Sequence, residues 1–216
     1  MIDLYCERLD AGFWAEPFNA LSNAIFLIAA WFAWRLSKRS AEPSLTIKLL
    51  VLLIASIGVG SFIFHTFATR WSMILDLLPI LLFQLTFFWI YSQKVMSFEK
   101  RQSALLLTVY LLSIVLGGRF PEFFNGSLIY LPALLLLLSL GVFHYLQHKQ
   151  ERYILLGVSG LFMLSLAFRT LDAEICPQFP LGTHFLWHLS CGVIVYLSAR
   201  ALLINVDPSG KNIKTQ

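Results

Sequence analysis

Five side chains in two stretches of this sequence could do chemistry together. The first stretch, GSFIFHTFATRWSMILDLLP from Gly60 to Pro79, carries Ser61, His65 and Asp76 across the end of one apolar segment and the start of the next. The second, HFLWH, carries His184 and His188. Ser61 and His65 are four apart, as are His184 and His188, the spacing that puts two side chains on one face of a helix. Three imidazoles from two segments, with one coordination position left open, are the ligand set of a catalytic zinc. Polar groups inside a membrane segment are costly and so mark function. Taken singly, each histidine reads as a residue satisfied by a local hydrogen bond. The convergence of three of them with Ser61 and Asp76 at one depth is what favours a metal centre.

Such residues must be positioned by membrane-spanning helices. Of 216 residues, 58% are hydrophobic and 13% charged, against about 25% charged in an ordinary soluble domain. Mean hydropathy is +0.74. Seven apolar segments can be drawn, at 18–36, 45–66, 72–92, 102–118, 127–147, 153–171 and 183–204. Each approaches the roughly 20 residues that a spanning helix needs. The expected fold is an all-α integral membrane protein, a seven-transmembrane helix bundle. It forms one domain over 1–216, with an N-terminal segment at 1–17 and a tail at 205–216. Pro132, inside the fifth segment, predicts a kink there. The N-terminus has no basic region followed by an apolar core, so a cleaved signal peptide is not expected.

The basic residues orient the bundle. Twelve of the sixteen Lys and Arg, including every Lys, fall at one set of segment ends; Arg8, Arg70, Arg119 and Arg169 fall at the other. The N-terminus is therefore expected outside and the C-terminus in the cytoplasm. The formal charge of +4 arises from this skew, and no nucleic-acid partner is expected. The same topology brings Ser61, His65, Asp76, His184 and His188 to one leaflet depth on the non-cytoplasmic side. His144 and His148 fall at the opposite face and read as interfacial residues beside Lys149. Cys6 and Cys176 share the outer side, where loop cysteines tend to pair; the alternative is two free thiols in a reducing compartment. Cys191, within the last segment, reads as a small buried residue. Short loops without sorting signals suggest a bacterial inner membrane.

Ser-x3-His, an Asp eleven residues on, and His-x3-His opening the last helix resemble the alkaline ceramidase family. YCE at Tyr5–Glu7 followed by AEPFNALSN at Ala15–Asn23 is similar to that family's N-terminal blocks, and RTLDAEICP before HFLWH to its run before the last helix. The resemblance implies zinc held by His65, His184 and His188, and hydrolysis of the amide of ceramide or a related N-acyl lipid to a fatty acid and a long-chain base. The lipid would come from the bilayer. Three neutral imidazoles leave zinc its full charge, which lowers the pKa of bound water toward 7. Asp76 is then the general base that later protonates the leaving amine, and Ser61 the donor to the developing oxyanion. The plainer readings are an acid favoured at a helix N-terminus for Asp76 and a small packing residue for Ser61.

The family also holds calcium near its N-terminus, which implies a second cofactor bound here by Asp3, Glu7 and Glu16, with Asp10 nearby. Arg8 and Leu9 depart from the acidic pattern at that point. The alternative is an acidic loop capping the first helix. The same residue set marks a wider superfamily that includes adiponectin and progestin receptor-like proteins. Two other readings follow: a hydrolase of another lipid, such as an ester, or a receptor in which zinc only ties helices together. Direct coordination by Asp76 would close the site and favour the receptor.

Overall fold

The computed structural model describes residues 2–39 and 42–206. Lys211 and Lys214, which entered the charge count, and residues 207–216 of the expected tail lie outside them. Local sequence explains where each helix begins. Pro17 opens α1 (Pro17–Ser22), where a missing N–H costs nothing. A break at Asn23 separates it from α2 (Ala24–Ser37). The Ser44 hydroxyl accepts the Ile47 N–H to start α3 (Leu45–Phe67). A Thr69–Ser72 capping box starts α4 (Arg70–Lys94), and a Glu99–Gln102 box starts α5 (Lys100–Gly117). A turn of 3₁₀ character, Phe123–Tyr130, leads into α6 (Leu131–Leu146). The remaining helices are α7 (Ile154–Ile175) and α8 (His184–Val206).

Together these make seven spans long and apolar enough to cross a membrane, α1 and α2 sharing the first. The protein is a multi-pass membrane protein. The spans pack in chain order as a ring from α2 to α8, closed by contact between α2 and α8. The expected segments agree with them to within a few residues. Pro132 does not kink a helix interior. It lies in the first turn of α6, where its ring removes no helical hydrogen bond. His144 is not interfacial either. It is fully buried, bonded to the Tyr91 hydroxyl at 2.6 Å and the Gln150 carbonyl at 2.9 Å, and ties α6 to α4.

The α3–α4 hairpin is what brings Ser61 and Asp76 face to face. Ala68, left-handed at φ 46°, and Thr69 turn the chain between the helices in two residues. Pro79 lies inside α4 and has no N–H for the carbonyl of Leu75, four residues earlier. That carbonyl points at α3. A Cβ built on Gly60 would stand 2.0 Å from it, so only glycine lets the two backbones approach this closely. Gly60→Ala is therefore expected to push the helices apart beside Ser61 and Asp76 and to destabilise the protein by about 1–3 kcal/mol. A thermal or denaturant midpoint of the purified protein in lipid checks this; an unchanged midpoint would refute the close contact.

Candidate metal centre

His65 sits in the last turns of α3, and His184 and His188 in the first turns of α8. All three are 3% exposed or less. Their ring centroids lie 4.5–5.2 Å apart. One nitrogen from each lies within 4.8 Å of the others. Among the described residues this is the one group of three or more His, Cys, Asp or Glu side chains that could hold a metal ion.

Hydrogen bonds behind the rings decide which nitrogens face inward. His65 Nδ1 is 2.6 Å from Glu16 Oε2. A carboxylate only accepts, so the ring proton sits on Nδ1 and the lone pair on Nε2. The Ser22 hydroxyl donates to the Asn19 carbonyl (2.9 Å) and so accepts from His188 Nδ1 at 2.8 Å. This turns His188 Nε2 toward the cluster. His65 Nε2 and His184 Nδ1 are buried with no hydrogen-bond partner. An unsatisfied buried polar atom costs about 1–3 kcal/mol. Two such atoms on the rings of one three-histidine cluster are what a metal ion would satisfy, and the neutral imidazole set suits a borderline-soft divalent ion.

The N-terminal segment roofs this cluster. The Tyr5 ring stacks on His184, centroids 3.6 Å apart, and burial pushes its phenol above the usual range. Cys6 is joined to Cys176 in a disulfide with Cα atoms 5.4 Å apart. Asp172, near the end of α7, accepts from the backbone N–H of Cys6 (3.0 Å), Thr183 (2.6 Å) and His184 (2.9 Å). One buried carboxylate thus caps α8 at its zinc-candidate histidine and anchors the strap. Gly182 makes room for it, at φ 64°, with an added Cβ 2.1 Å from Asp172 Oδ1. Cys191 is the unpaired cysteine. It is only partly buried and opens on the central cavity, where its Sγ lies 3.5 Å from Ser165 Oγ. Thiol labelling of denatured, unreduced protein should find one reactive thiol per chain; three would refute the bridge. In the chain-entropy model this closure stabilises by roughly 5 kcal/mol, an upper figure for a chain that stays helical in lipid.

The acids proposed for calcium are not gathered into a site. Asp3 is exposed. Both oxygens of Glu7 cap α1, accepting from the backbone of Phe18 (2.6 Å) and Asn19 (2.8 Å). Glu16 is shared between His65, Asn19 and the buried Arg8 guanidinium. Arg8 also donates to the carbonyls of His65 (2.8 Å) and Asp10 (3.2 Å). A fixed guanidinium thus occupies the position between these oxygens. Burial pushes the Glu16 carboxyl up, but His65, Asn19 and Arg8 outweigh it and hold the group below its usual range.

Ser61 and Asp76 line one cavity with His184 and His188, and Ser61 lies beside the Asp76 carboxyl. The cavity holds about 280 Å³ and runs down the bundle to Ser198, between apolar walls that include Phe83, Phe87 and Val195. Ten residues of α8 separate His188 from Ser198, roughly 15 Å of helix. The sequence reading missed Glu16 as a partner of His65, Ser22 as a partner of His188, and Asp172 as an anchor. Glu16, Ser22 and Asp172 lie inside the blocks that carry the family resemblance, which was the one signal available for them. A family model described as Ceramidase matches residues 5–211 of the chain. A comparison with curated proteins found no match.

Proposed function

The chain belongs to the ceramidase family, and from that membership and the site's geometry we propose that it is a zinc-dependent hydrolase of the amide bond of ceramide or a related N-acyl lipid. The observation that carries the reading is the pair of unpartnered buried nitrogens, His65 Nε2 and His184 Nδ1, in a histidine cluster whose His184 and His188 line an apolar cavity. His65, His184 and His188 would hold the ion. When bound, zinc supplies a Lewis acid and a water acidic enough to react near neutral pH.

The chain's own residues supply the rest. Glu16 and Ser22 fix the tautomers of His65 and His188, so each ring keeps its lone pair inward. Asp76 takes the proton from the attacking water. As the C–N bond breaks, Asp76 returns that proton to the leaving amine, giving a fatty acid and a long-chain base. The Ser61 hydroxyl donates to the oxygen that becomes negative when the carbonyl carbon turns tetrahedral. The apolar walls hold one lipid chain and keep bulk water from the reacting carbon. The disulfide fits an oxidising compartment. With the basic residues at the opposite helix ends, it supports a site facing the non-cytoplasmic side of the membrane, and the short loops support a bacterial inner membrane.

The test is incubation of purified, zinc-loaded protein with a panel of N-acyl and O-acyl lipids, with products read by mass spectrometry. Release of fatty acid and long-chain base from ceramide is expected. Cleavage of esters alone would replace the amide assignment, and no cleavage of any lipid would favour a receptor with a structural ion.

A further inference from the structure

Arg169, in α7, opens on the same cavity as Ser61, Asp76 and His184. Its Nη1 donates to the Asn125 carbonyl (2.9 Å) and the Ser127 hydroxyl (2.8 Å). Its Cζ stands 5.1 Å above the Tyr130 ring. Asn125 is left-handed at φ 51°, between Phe124 and Gly126 in the same conformation. This strained turn aims a backbone oxygen at the guanidinium and holds it at the cavity wall. The phenols of Tyr5 and Tyr130 hydrogen-bond to the same guanidinium, and both are neutral groups. Among the described residues the ion pairs are Arg8–Glu16, His65–Glu16, Lys48–Glu42 and Arg200–Glu151. None includes Arg169. Asp76 shares the cavity without pairing to it.

A cation at membrane depth is costly, and it normally faces a partner of opposite charge. Here neutral partners hold the guanidinium in place, and no described carboxylate is close enough to form an ion pair with it. Nη1 has spent both its protons on the turn, and the rest of the guanidinium meets only the neutral phenol oxygens of Tyr5 and Tyr130, which a carboxylate displaces as the stronger acceptor. We propose that Arg169 is the binding site for the carboxylate of a long-chain fatty acid whose chain lies in the apolar cavity. The contact is a two-point guanidinium–carboxylate pair. The proposal rests on the reading of that cavity as the lipid site. It makes the acid product, and not the long-chain base, the species the site retains after cleavage. A carboxylate matches the planar fork in shape and carries one charge. A dianionic phosphate would bring a second negative charge into a cavity that already contains Asp76.

The test compares hexadecanoate with hexadecanol, at a pH where the acid is ionised, for binding to zinc-loaded protein in lipid nanodiscs. Wild type is expected to bind the acid at least about tenfold more tightly, a difference of about 1.4 kcal/mol. Arg169→Gln with its metal retained should lose that preference and keep its affinity for the alcohol, which separates charge recognition from general damage to the cavity. Arg169→Lys keeps the charge without the fork, and its preference should fall between the two. Any carboxylate contact with the metal is common to wild type and variants, so the difference between them isolates Arg169. Equal affinity of the wild type for acid and alcohol overturns the proposal whatever the variants do, as does a full preference in Arg169→Gln. If Arg169→Gln does not fold, an undiminished preference in Arg169→Lys overturns the two-point contact. No turnover is read. A chain that binds the acid but cleaves no lipid would sink the hydrolase reading alone, and one that cleaves ceramide without preferring the acid would sink this inference alone.

Discussion

Replacement of His65, His184 or His188 by Ala should remove the metal and the activity together. With three protein ligands there is no spare donor. The loss in affinity should therefore exceed the roughly 10- to 100-fold that follows from disturbing only the groups behind a ligand. Elemental analysis of purified protein should give one zinc per wild-type chain and close to none for each variant. The rings are buried, 3% exposed at most, so thermal stability with and without added zinc should be measured alongside. Wild type should gain stability from zinc by mass action, and the variants should not. Full zinc in His184→Ala and His188→Ala would show that the ion lies elsewhere.

Asp76→Asn should keep the zinc and lose most turnover. Its amide is nearly isosteric but cannot accept a proton, and proton transfer by a placed side chain is worth about 10²- to 10⁴-fold. Ser61→Ala should lose about 10²- to 10³-fold, the usual effect of removing one oxyanion donor. Both variants leave the three histidines and their partners Glu16 and Ser22 in place. Activity per bound zinc is therefore the quantity to compare. Loss of the ion from Asp76→Asn would make Asp76 a ligand and close the site, which is the outcome a receptor would predict. Full activity in Ser61→Ala would leave Ser61 as a packing residue beside the Gly60 contact.

Local pattern is what made the spans and the histidines readable. Apolar runs near the length of a bilayer have few alternatives to helices, because lipid offers backbone groups no other partner. The four-residue spacing put Ser61 and His65, and His184 and His188, on common faces. The loop charges then carried both pairs, with Asp76, to one end of the bundle, and the three histidines do gather there. Where the reading failed, a neighbour in space decided the outcome. His144 faces Tyr91 across the bundle and not the membrane surface. Pro132 falls in the first turn of α6 because the residues before it, Phe123–Tyr130, form a 3₁₀ segment interrupted by left-handed residues and not a continuous α-helix.

The sequence by itself determined the seven spans, which three histidines gather as candidate metal ligands, and the presence of an acid and a hydroxyl near them. All of these follow from residue type and short spacing. Tertiary structure alone decided what each group is bonded to. Glu16 reaches His65 across 49 positions, and Ser22 reaches His188 across 166. No periodicity records such separations. It decided that Arg8 lies between Glu16 and the His65 carbonyl, where acids had suggested calcium, because a guanidinium can donate to both at once. It also left Arg169 on the cavity wall without a carboxylate. A charge count cannot show that, because pairing depends on distance and on what the intervening medium screens.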